Sequence, residues 1–278
     1  MKLKRILYWA TIAILSAVIL VCGILIAQKL IADAQNQDYY ESMSSTKPSV
    51  PRPSIPDTPT TPSTDSTDPT QPDTPTEPSA PEEPTEPSIL YELQMSYAIN
   101  NDLIGWMEIP GTKINYPVVQ SPYEANFYLR RNFKKESATC GTLYVREACD
   151  VFRPSDNVTI YGHNMRNGTM FADLHKYEKQ SFWTDNKYIY FDTLYERHTY
   201  EIFAVFISTA DLSVGFRYHI FDDADNQTEY DGFVTKCKEL SLYDTGITPQ
   251  YGEKLITLST CDKSIEDGRF VVVARRVA

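Results

Sequence analysis

The sequence predicts a mostly β domain of the α+β class, folded as a barrel, at residues 89–278. Stretches rich in β-branched and aromatic residues recur along this region, and such residues favour strands. Helical spacing occurs at its start and again late, between two of the predicted strands. An apolar N-terminus and a proline-rich stretch precede the domain and offer no core of their own.

The apolar N-terminal segment predicts a single membrane span at residues 6–27. Its 22 residues reach roughly 33 Å as a helix, and the hydrocarbon core of a bilayer is roughly 30 Å thick. Three basic residues precede the span and only Lys29 closely follows it, which predicts a cytoplasmic tail at 1–5 and an extracellular remainder. The alternative is a signal peptide cleaved near residues 32–34, although this run is longer than the usual apolar region of such peptides.

Residues 28–88 predict an extracellular linker rich in Pro, Thr, Ser and Glu. Thirteen of the 18 prolines lie between Pro48 and Pro87. From Lys47 to Ser88 the chain has few apolar side chains to bury and cannot offset the entropy lost on ordering, so we expect an extended chain there. From Asp38 to Ser88 it would reach on the order of 150 Å, which would hold the domain away from its membrane.

The elements of the domain follow from the local patterns. Leu90, Leu93 and Tyr97 have helical spacing, and the alternation of Ile114, Tyr116 and Val118 predicts the strand that follows. Further strands are expected at 142–146, 157–163, 187–193, 199–208, 254–261 and 269–277. Helical pieces are expected at 169–177 and 225–241, and the apolar face of the second places Cys237 in the core.

Charge and cysteine content exclude several classes of protein. The net charge is −11 and no strongly basic stretch occurs, so a nucleic-acid partner is not expected. The cysteines are odd in number and lack CxxC spacing, which disfavours a disulfide framework and a zinc site, and no cofactor is predicted. Cys140 and Cys149 would lie too far apart along an extended strand to form a disulfide.

Two residues near the C-terminus form a candidate nucleophilic site. Alternation along "TLSTC" places Ser259 and Cys261 on one face, and Asp267-Gly268 signals a turn before the strand "GRFVV". In a hairpin, Cys261 and Arg269 would lie opposite each other. A guanidinium there can stabilise a thiolate or an oxyanion. The alternative is a buried cysteine and a surface arginine that flank a loop.

A nucleophilic cysteine needs a proton-transfer partner, and His163 is the best candidate. In "TIYGHNM" it ends a strand in a tight-turn context directly after Gly162. His175 and His198 are predicted at surface helix and turn positions, and His219 opens a polar loop.

Three motifs in order, "YGHNM", "TLSTC" and "GRFVV", resemble the His, Cys and Arg motifs of sortases. Sortases are cysteine transpeptidases that attach proteins to the cell wall of Gram-positive bacteria. The upstream text "NNDLIGWMEIPGTKINYPVVQSPYEANFYLRRNF" and the helix at 225–241 resemble class B members. The resemblance implies a closed, mixed-sheet β-barrel with an N-terminal helical element and a helix inserted before the Cys-bearing strand.

The resemblance also implies roles for individual residues. His163 matches the general acid/base, Cys261 the nucleophile and Arg269 the residue that stabilises the oxyanion or positions substrate. Ser259 and Leu129 are weaker candidates for substrate contact.

The implied partners are a surface-protein sorting peptide, of the NPxTx type in class B, and an amine of a peptidoglycan precursor or a pilin. One departure is Arg146, which stands where class B relatives often carry an acidic residue.

Two other readings stay open at this point. A cysteine hydrolase of another fold is disfavoured by chain order, because papain-like enzymes place Cys before His whereas His163 precedes Cys261. A non-enzymatic, membrane-tethered binding domain predicts that His163, Cys261 and Arg269 lie apart in space.

Overall fold

Eight strands close into a mixed barrel in a computed structural model that describes residues 2–51, 87–122, 124–211 and 213–278. Neighbouring strands follow the order β1-β2-β3-β4-β7-β8-β6-β5, which confirms the predicted fold class. The strands are β1 (Leu103–Glu108), β2 (Asn115–Val119), β3 (Leu143–Val145), β4 (Asn157–Tyr161), β5 (Tyr188–Thr193), β6 (Arg197–Thr209), β7 (Leu255–Cys261) and β8 (Gly268–Arg276).

Helices occupy the N-terminus and the connections between strands. The α-helices are α1 (Lys2–Thr46), α2 (Tyr91–Ile99), α3 (Gln180–Asp185) and α4 (Gln227–Leu240). Short 3-10 helices are formed by Phe127–Arg130, Ala172–Glu178 and Tyr218–Ile220. The positions of α2 and α4 confirm the opening helix and the helix inserted before the Cys-bearing strand.

The strands that carry the candidate site are buried on both faces. Ile256 and Leu258 of β7 belong to the larger core cluster, which fills the barrel. Leu255 belongs to a second cluster formed with α4, in which Phe233 and Cys237 are buried. Cys237 is therefore a core residue, as its helical spacing predicted, and α4 covers the outer face of the sheet.

The predicted order of elements differs from the structure at the start of the domain. We expected one strand after the opening helix, but β1 and β2 both precede β3. Five of the six residues of β1 are buried, so its sequence shows no alternation of polar and apolar side chains. The helix expected at 169–177 is a 3-10 helix, Ala172–Glu178, followed by α3.

Residues 28–46, which we assigned to the linker, are helical, because α1 continues without a break to Thr46, and the extension expected from Asp38 is wrong up to that residue. Tyr40 and Met43 on this helix are buried against the barrel. Burial of each such side chain contributes about 1.5–3 kcal/mol. The proline-rich composition after Lys47 predicts a linker, and the two apolar side chains before it, Tyr40 and Met43, are too few to predict a packed helix. The prolines from 53 to 84 lie outside the described residues.

Among the residues that the structure describes, α1 is the one helix long and apolar enough to cross a membrane.

Candidate active site

The end of the β7–β8 hairpin brings the candidate nucleophile and its cationic neighbour together. The strands are antiparallel, and Cys261 pairs with Arg269 as the last pair before the turn. This confirms the predicted hairpin placement. The six residues of β7 before Cys261 are buried, whereas Cys261 itself is exposed. The barrel thus fixes the backbone up to the nucleophile and leaves the thiol open to solvent.

The candidate acid/base reaches the same edge from a neighbouring parallel strand. β4 pairs with β7, and the amide of Gly162 donates to the carbonyl of Ser259 at 3.2 Å. Continued two residues beyond the Tyr161–Ser259 pair, the same register leads to His163 on one chain segment and Cys261 on the other. A Cβ on Gly162 would lie 2.5 Å from Leu143 Cδ2, so only glycine lets the strand end pack this closely.

A backbone carbonyl fixes the orientation of the His163 ring. Nε2 lies 2.7 Å from the carbonyl oxygen of Leu129, in the Phe127–Arg130 turn. Because a carbonyl oxygen only accepts, Nε2 carries a hydrogen and donates it. Nδ1 is therefore the nitrogen that can exchange a proton with a thiol or a substrate.

Arg269 is anchored at one end of its guanidinium group. Its Nη1 donates to the carbonyl oxygens of Gly268 at 2.8 Å and of Asp267 at 3.2 Å. Asp267 adopts a left-handed conformation with φ of 48°. Since a guanidinium has five N–H donors, Nε and Nη2 keep three for an anion next to Cys261.

One cleft of about 460 Å³ is lined by all three residues, His163, Cys261 and Arg269. The separation that a simple binding domain predicts is therefore not observed. The side chain of Leu129 is 38% exposed and also lines this cleft. Its predicted contact with substrate stays a prediction, but its carbonyl already holds His163.

Ser259 lies at the floor of the cleft and is 2% exposed. Its Oγ shares a 2.7 Å hydrogen bond with the phenol of Tyr218. Burial raises the pKa of Tyr218, so the hydroxyl stays protonated and able to donate. This pair fastens the 3-10 turn Tyr218–Ile220 over β7. A substrate contact by Ser259 stays a prediction. A substrate would have to reach a buried hydroxyl that is already hydrogen-bonded to Tyr218.

The rim of the cleft carries charges of both signs. Arg146 forms an ion pair with Asp222, and the adjacent Glu147 lines the cleft. A carboxylate is thus present one position after the place where class B relatives often carry one. His219 also lines the cleft. Its pKa is lowered, first by burial and then by the guanidinium groups of Arg146 and Arg269, which favours the neutral imidazole.

His175 is a neighbour of the site that the sequence analysis misplaced. It was expected on a surface helix, but its ring lies 4.5 Å from that of Phe270, between centroids. Its Nε2 is 3.3 Å from the carbonyl oxygen of Cys261, to which Asn164 Nδ2 donates at 3.0 Å. The loop after β4 therefore holds the peptide group that follows the nucleophile.

Two other features of the titratable groups bear on the site. His198 lies within β6 and not in the expected turn, and burial lowers its pKa. Ligand atoms of His175, Glu178 and Asp262 lie within 4.8 Å of one another and are a chemically suitable set for a cation among the described residues. His175 Nδ1 is already 2.9 Å from Glu178 Oε1, so this group satisfies itself by a hydrogen bond.

The remaining cysteines are free thiols: Cys22 in α1 is exposed, Cys140 is half-buried, and Cys149 and Cys237 are buried. Burial raises the pKa of Cys140 to about 11 and that of Cys149 to about 12. Cys237 is fully buried, and its pKa is raised as well. Among the cysteines of the barrel, only Cys261 is exposed to a reagent or substrate.

Comparisons with known proteins agree with this geometry. The sortase domain family matches residues 107–277. Sortase B of Listeria monocytogenes is 34% identical over 188 residues, which cover 67% of this chain and 74% of that protein. Sortase B of Staphylococcus aureus is 30% identical over 179 residues, covering 64% of this chain and 71% of that protein.

Solved structures give the same result in three dimensions. A crystal structure of a Bacillus anthracis protein similar to sortase B has a TM-score of 0.63 at 35% identity. The alignment covers 71% of this chain and 87% of the Bacillus anthracis chain. A Staphylococcus aureus sortase B–substrate complex has a TM-score of 0.62 at 29% identity, covering 68% and 86% of the two chains. Since the matched region holds seven complete strands, the last two residues of β1 and the whole cleft, the chain belongs to the sortase family and is a class B sortase.

Proposed function

We propose that this cysteine transpeptidase is anchored in the cell membrane by residues 6–27 and acts on the outer side. In the proposal it cleaves a sorting signal after Thr and transfers the acyl group to an amine of a cell-wall peptide or a pilin. The apolar length of α1 and the basic residues before it support the anchor. The observation that carries the reaction is the single cleft lined by His163, Cys261 and Arg269.

The first half-reaction follows from the chemistry of the three side chains. Nδ1 of His163 takes the proton of the Cys261 thiol, the resulting thiolate attacks the Thr carbonyl, and the carbonyl oxygen becomes an oxyanion. Nε and Nη2 of Arg269, which are not used in its turn, can donate to that oxyanion. His163 delivers a proton from Nδ1 to the departing amine, while Leu129 keeps the ring in place through Nε2. The products are a thioester on Cys261 and the released C-terminal part of the signal.

The second half-reaction resolves the thioester with an amine. The incoming amino group attacks the thioester carbonyl, Nδ1 of His163 takes its proton, and the thiolate of Cys261 leaves. Water can follow the same route and give the free acid. The ratio of amide to acid therefore reports whether the protein works as a transferase or as a hydrolase.

The test is the conversion of NPxTx peptides in the presence of hydroxylamine, oligoglycine or a diamino acid, with products identified by mass spectrometry. We expect amide or hydroxamate products and a turnover that rises with amine. Cys261→Ala should abolish transfer, because none of the other described cysteines lines the cleft. His163→Ala and Arg269→Ala should each cost on the order of 10²-fold or more. Cys140→Ala, which removes a thiol outside the cleft, is the control and should keep its activity.

Two results would count against the proposal. Transfer by Cys261→Ala would remove the nucleophile assignment. Formation of free acid alone at high amine concentration, with no rise in rate, would identify a hydrolase.

A further inference from the structure

The part of α1 that follows the proposed membrane span lies along the barrel. Tyr40 is 2% exposed, and its phenol oxygen accepts from the amide of Phe133 at 3.0 Å. The same oxygen lies 3.0 Å from the carbonyl oxygen of Gly141 and 2.9 Å from Thr142 Oγ1. Its partners are more than 90 residues away along the chain. This is a tertiary contact of the kind that holds a helix inside a domain.

Polar contacts on several turns of the helix extend this interface. Asn36 accepts from Asn132 Nδ2 at 2.7 Å, and Gln37 accepts from Asn167 Nδ2 at 3.1 Å. Further along the helix, Ser44 donates to a backbone carbonyl of β2. Asn132 is itself buried, and its amide would keep Glu136 as an acceptor but lose Asn36 if the helix moved away. The barrel therefore contacts α1 from about the third turn after the span to its end.

The two described ends of the proline-rich segment lie at the same corner of the domain. Met43, Lys47 and Pro48 line one side of a cavity of about 360 Å³, and residues of α2 such as Tyr91 and Met95 line the other. Pro48 and the start of α2 therefore lie on two sides of one cavity. Residues 52–86 connect two neighbouring points of one folded unit.

We infer that the barrel is fastened directly to the juxtamembrane part of α1, and that residues 52–86 do not set its distance from the membrane. The inference rests on the proposed anchoring of residues 6–27. From Lys29 to Thr46 the helix is roughly 27 Å long, comparable to the width of a small domain. The active-site cleft is then held close to the membrane surface, in place of the reach on the order of 150 Å that a fully extended linker would give.

Proteolytic cleavage within the proline-rich segment distinguishes a barrel that is fastened to α1 from a barrel that is held only by an extended linker. The full chain carries an inserted recognition sequence for a site-specific protease within residues 60–75 and is reconstituted in neutral phosphatidylcholine vesicles. After cleavage, we expect the catalytic fragment to stay on the vesicles. Tyr40→Ala together with Met43→Ala should release it, and Asp38→Ala, an exposed position on the same helix, should not.

Release of the unsubstituted catalytic fragment, with the N-terminal fragment still in the vesicles, would overturn the inference. Equal retention of the catalytic fragment from a chain that carries Tyr40→Ala together with Met43→Ala would also overturn it, because the domain would then be held without either buried side chain of the helix. Loss of the N-terminal fragment itself from the vesicles at alkaline pH would instead contradict the proposed anchoring. Amine transfer is measured separately and depends on neither result.

A cross-link tests the interface without cleavage. In a background that carries Cys261→Ala and Cys140→Ala, Gln37→Cys and Asn167→Cys replace two side chains that touch. We expect a short bifunctional thiol reagent to join them with a yield on the order of tenfold above that of Gln37→Cys combined with Lys236→Cys, an exposed position on α4. Equal yields from the two pairs would show that α1 does not rest on the barrel.

Discussion

Gly141 is the residue whose substitution tests how the His163 ring is held. It adopts φ of +60°, and a Cβ there would lie 2.7 Å from the carbonyl oxygen of Leu129 and 2.8 Å from that of Tyr128. Carbon–oxygen contacts of this kind are normally about 3.3–3.6 Å apart. The Leu129 carbonyl, which accepts the hydrogen bond from His163, therefore has to withdraw by roughly half an ångström in Gly141→Ala.

The expected loss has two parts, and a matched control separates them. Placing alanine in a left-handed conformation costs about 1–2 kcal/mol of stability. Gly246→Ala carries the same cost, because Gly246 has φ of +73°, but no atom lies within 4 Å of its Cβ position. For a domain of this size, the control should lower Tm by about 2–8 °C. Only Gly141→Ala should also weaken the His163–Leu129 bond, worth about 0.5–1.5 kcal/mol.

That second part converts to a fall in kcat of about 2- to 12-fold for Gly141→Ala, with no change for Gly246→Ala. The assay is hydroxylamine-dependent release from a sorting peptide, run well below the Tm of each variant as measured by circular dichroism. If Gly141→Ala kept the kcat of the unsubstituted protein, the Leu129 carbonyl would not position His163. If Gly141→Ala and Gly246→Ala lost kcat to the same extent, the effect would be one of global stability.

Two further predictions follow from the pKa shifts. In the folded chain at pH 8, an alkylating reagent should label Cys261, while Cys140 and Cys149 stay protonated and unlabelled. Peptide mass spectrometry measures the labelling of each cysteine. Labelling of Cys149 as fast as that of Cys261 would contradict the burial of Cys149. Burial alone would raise the pKa of Asp156, but Lys254 Nζ at 2.8 Å outweighs it and holds that pKa below its usual value. The stabilisation by the Asp156–Lys254 pair is therefore present above about pH 4 and is lost as pH falls through the pKa of Asp156 in the folded state. Lys254→Met should lower Tm at pH 7 and not near pH 2. An equal loss of Tm at both pH values would assign the effect to packing.

Local geometry explains why the hairpin could be predicted and why β1 could not. The Cys261–Arg269 pair depends only on two alternating strands and the turn between them, all within 16 residues of sequence. In β1, by contrast, neighbouring residues such as Trp106 and Met107 are both buried, because the closed barrel is covered on the inside and the outside. Period-2 alternation disappears when both faces of a strand are buried.

The neighbours of the nucleophile that were misplaced depend on contacts distant in sequence. His175 reaches the Cys261 carbonyl because β4 and β7 pair in parallel, which no local pattern of residues 169–177 reveals. Tyr40 is buried by residues about 100 positions away, and its own surroundings read as the start of a linker. Propensity and periodicity describe the segment itself, whereas these positions depend on which surface the fold brings to it.

If residues 6–27 anchor the chain as proposed, the continuous path from α1 into the barrel through Tyr40 restricts how the enzyme can search for its substrates. A domain rigidly joined to a membrane helix can diffuse laterally and spin about the bilayer normal, but it cannot move up or down. Its cleft samples a thin layer at one height, so donors and acceptors that are themselves membrane-bound share that layer and meet it at a high effective concentration. Amines carried at other depths of the wall would have to come to the enzyme.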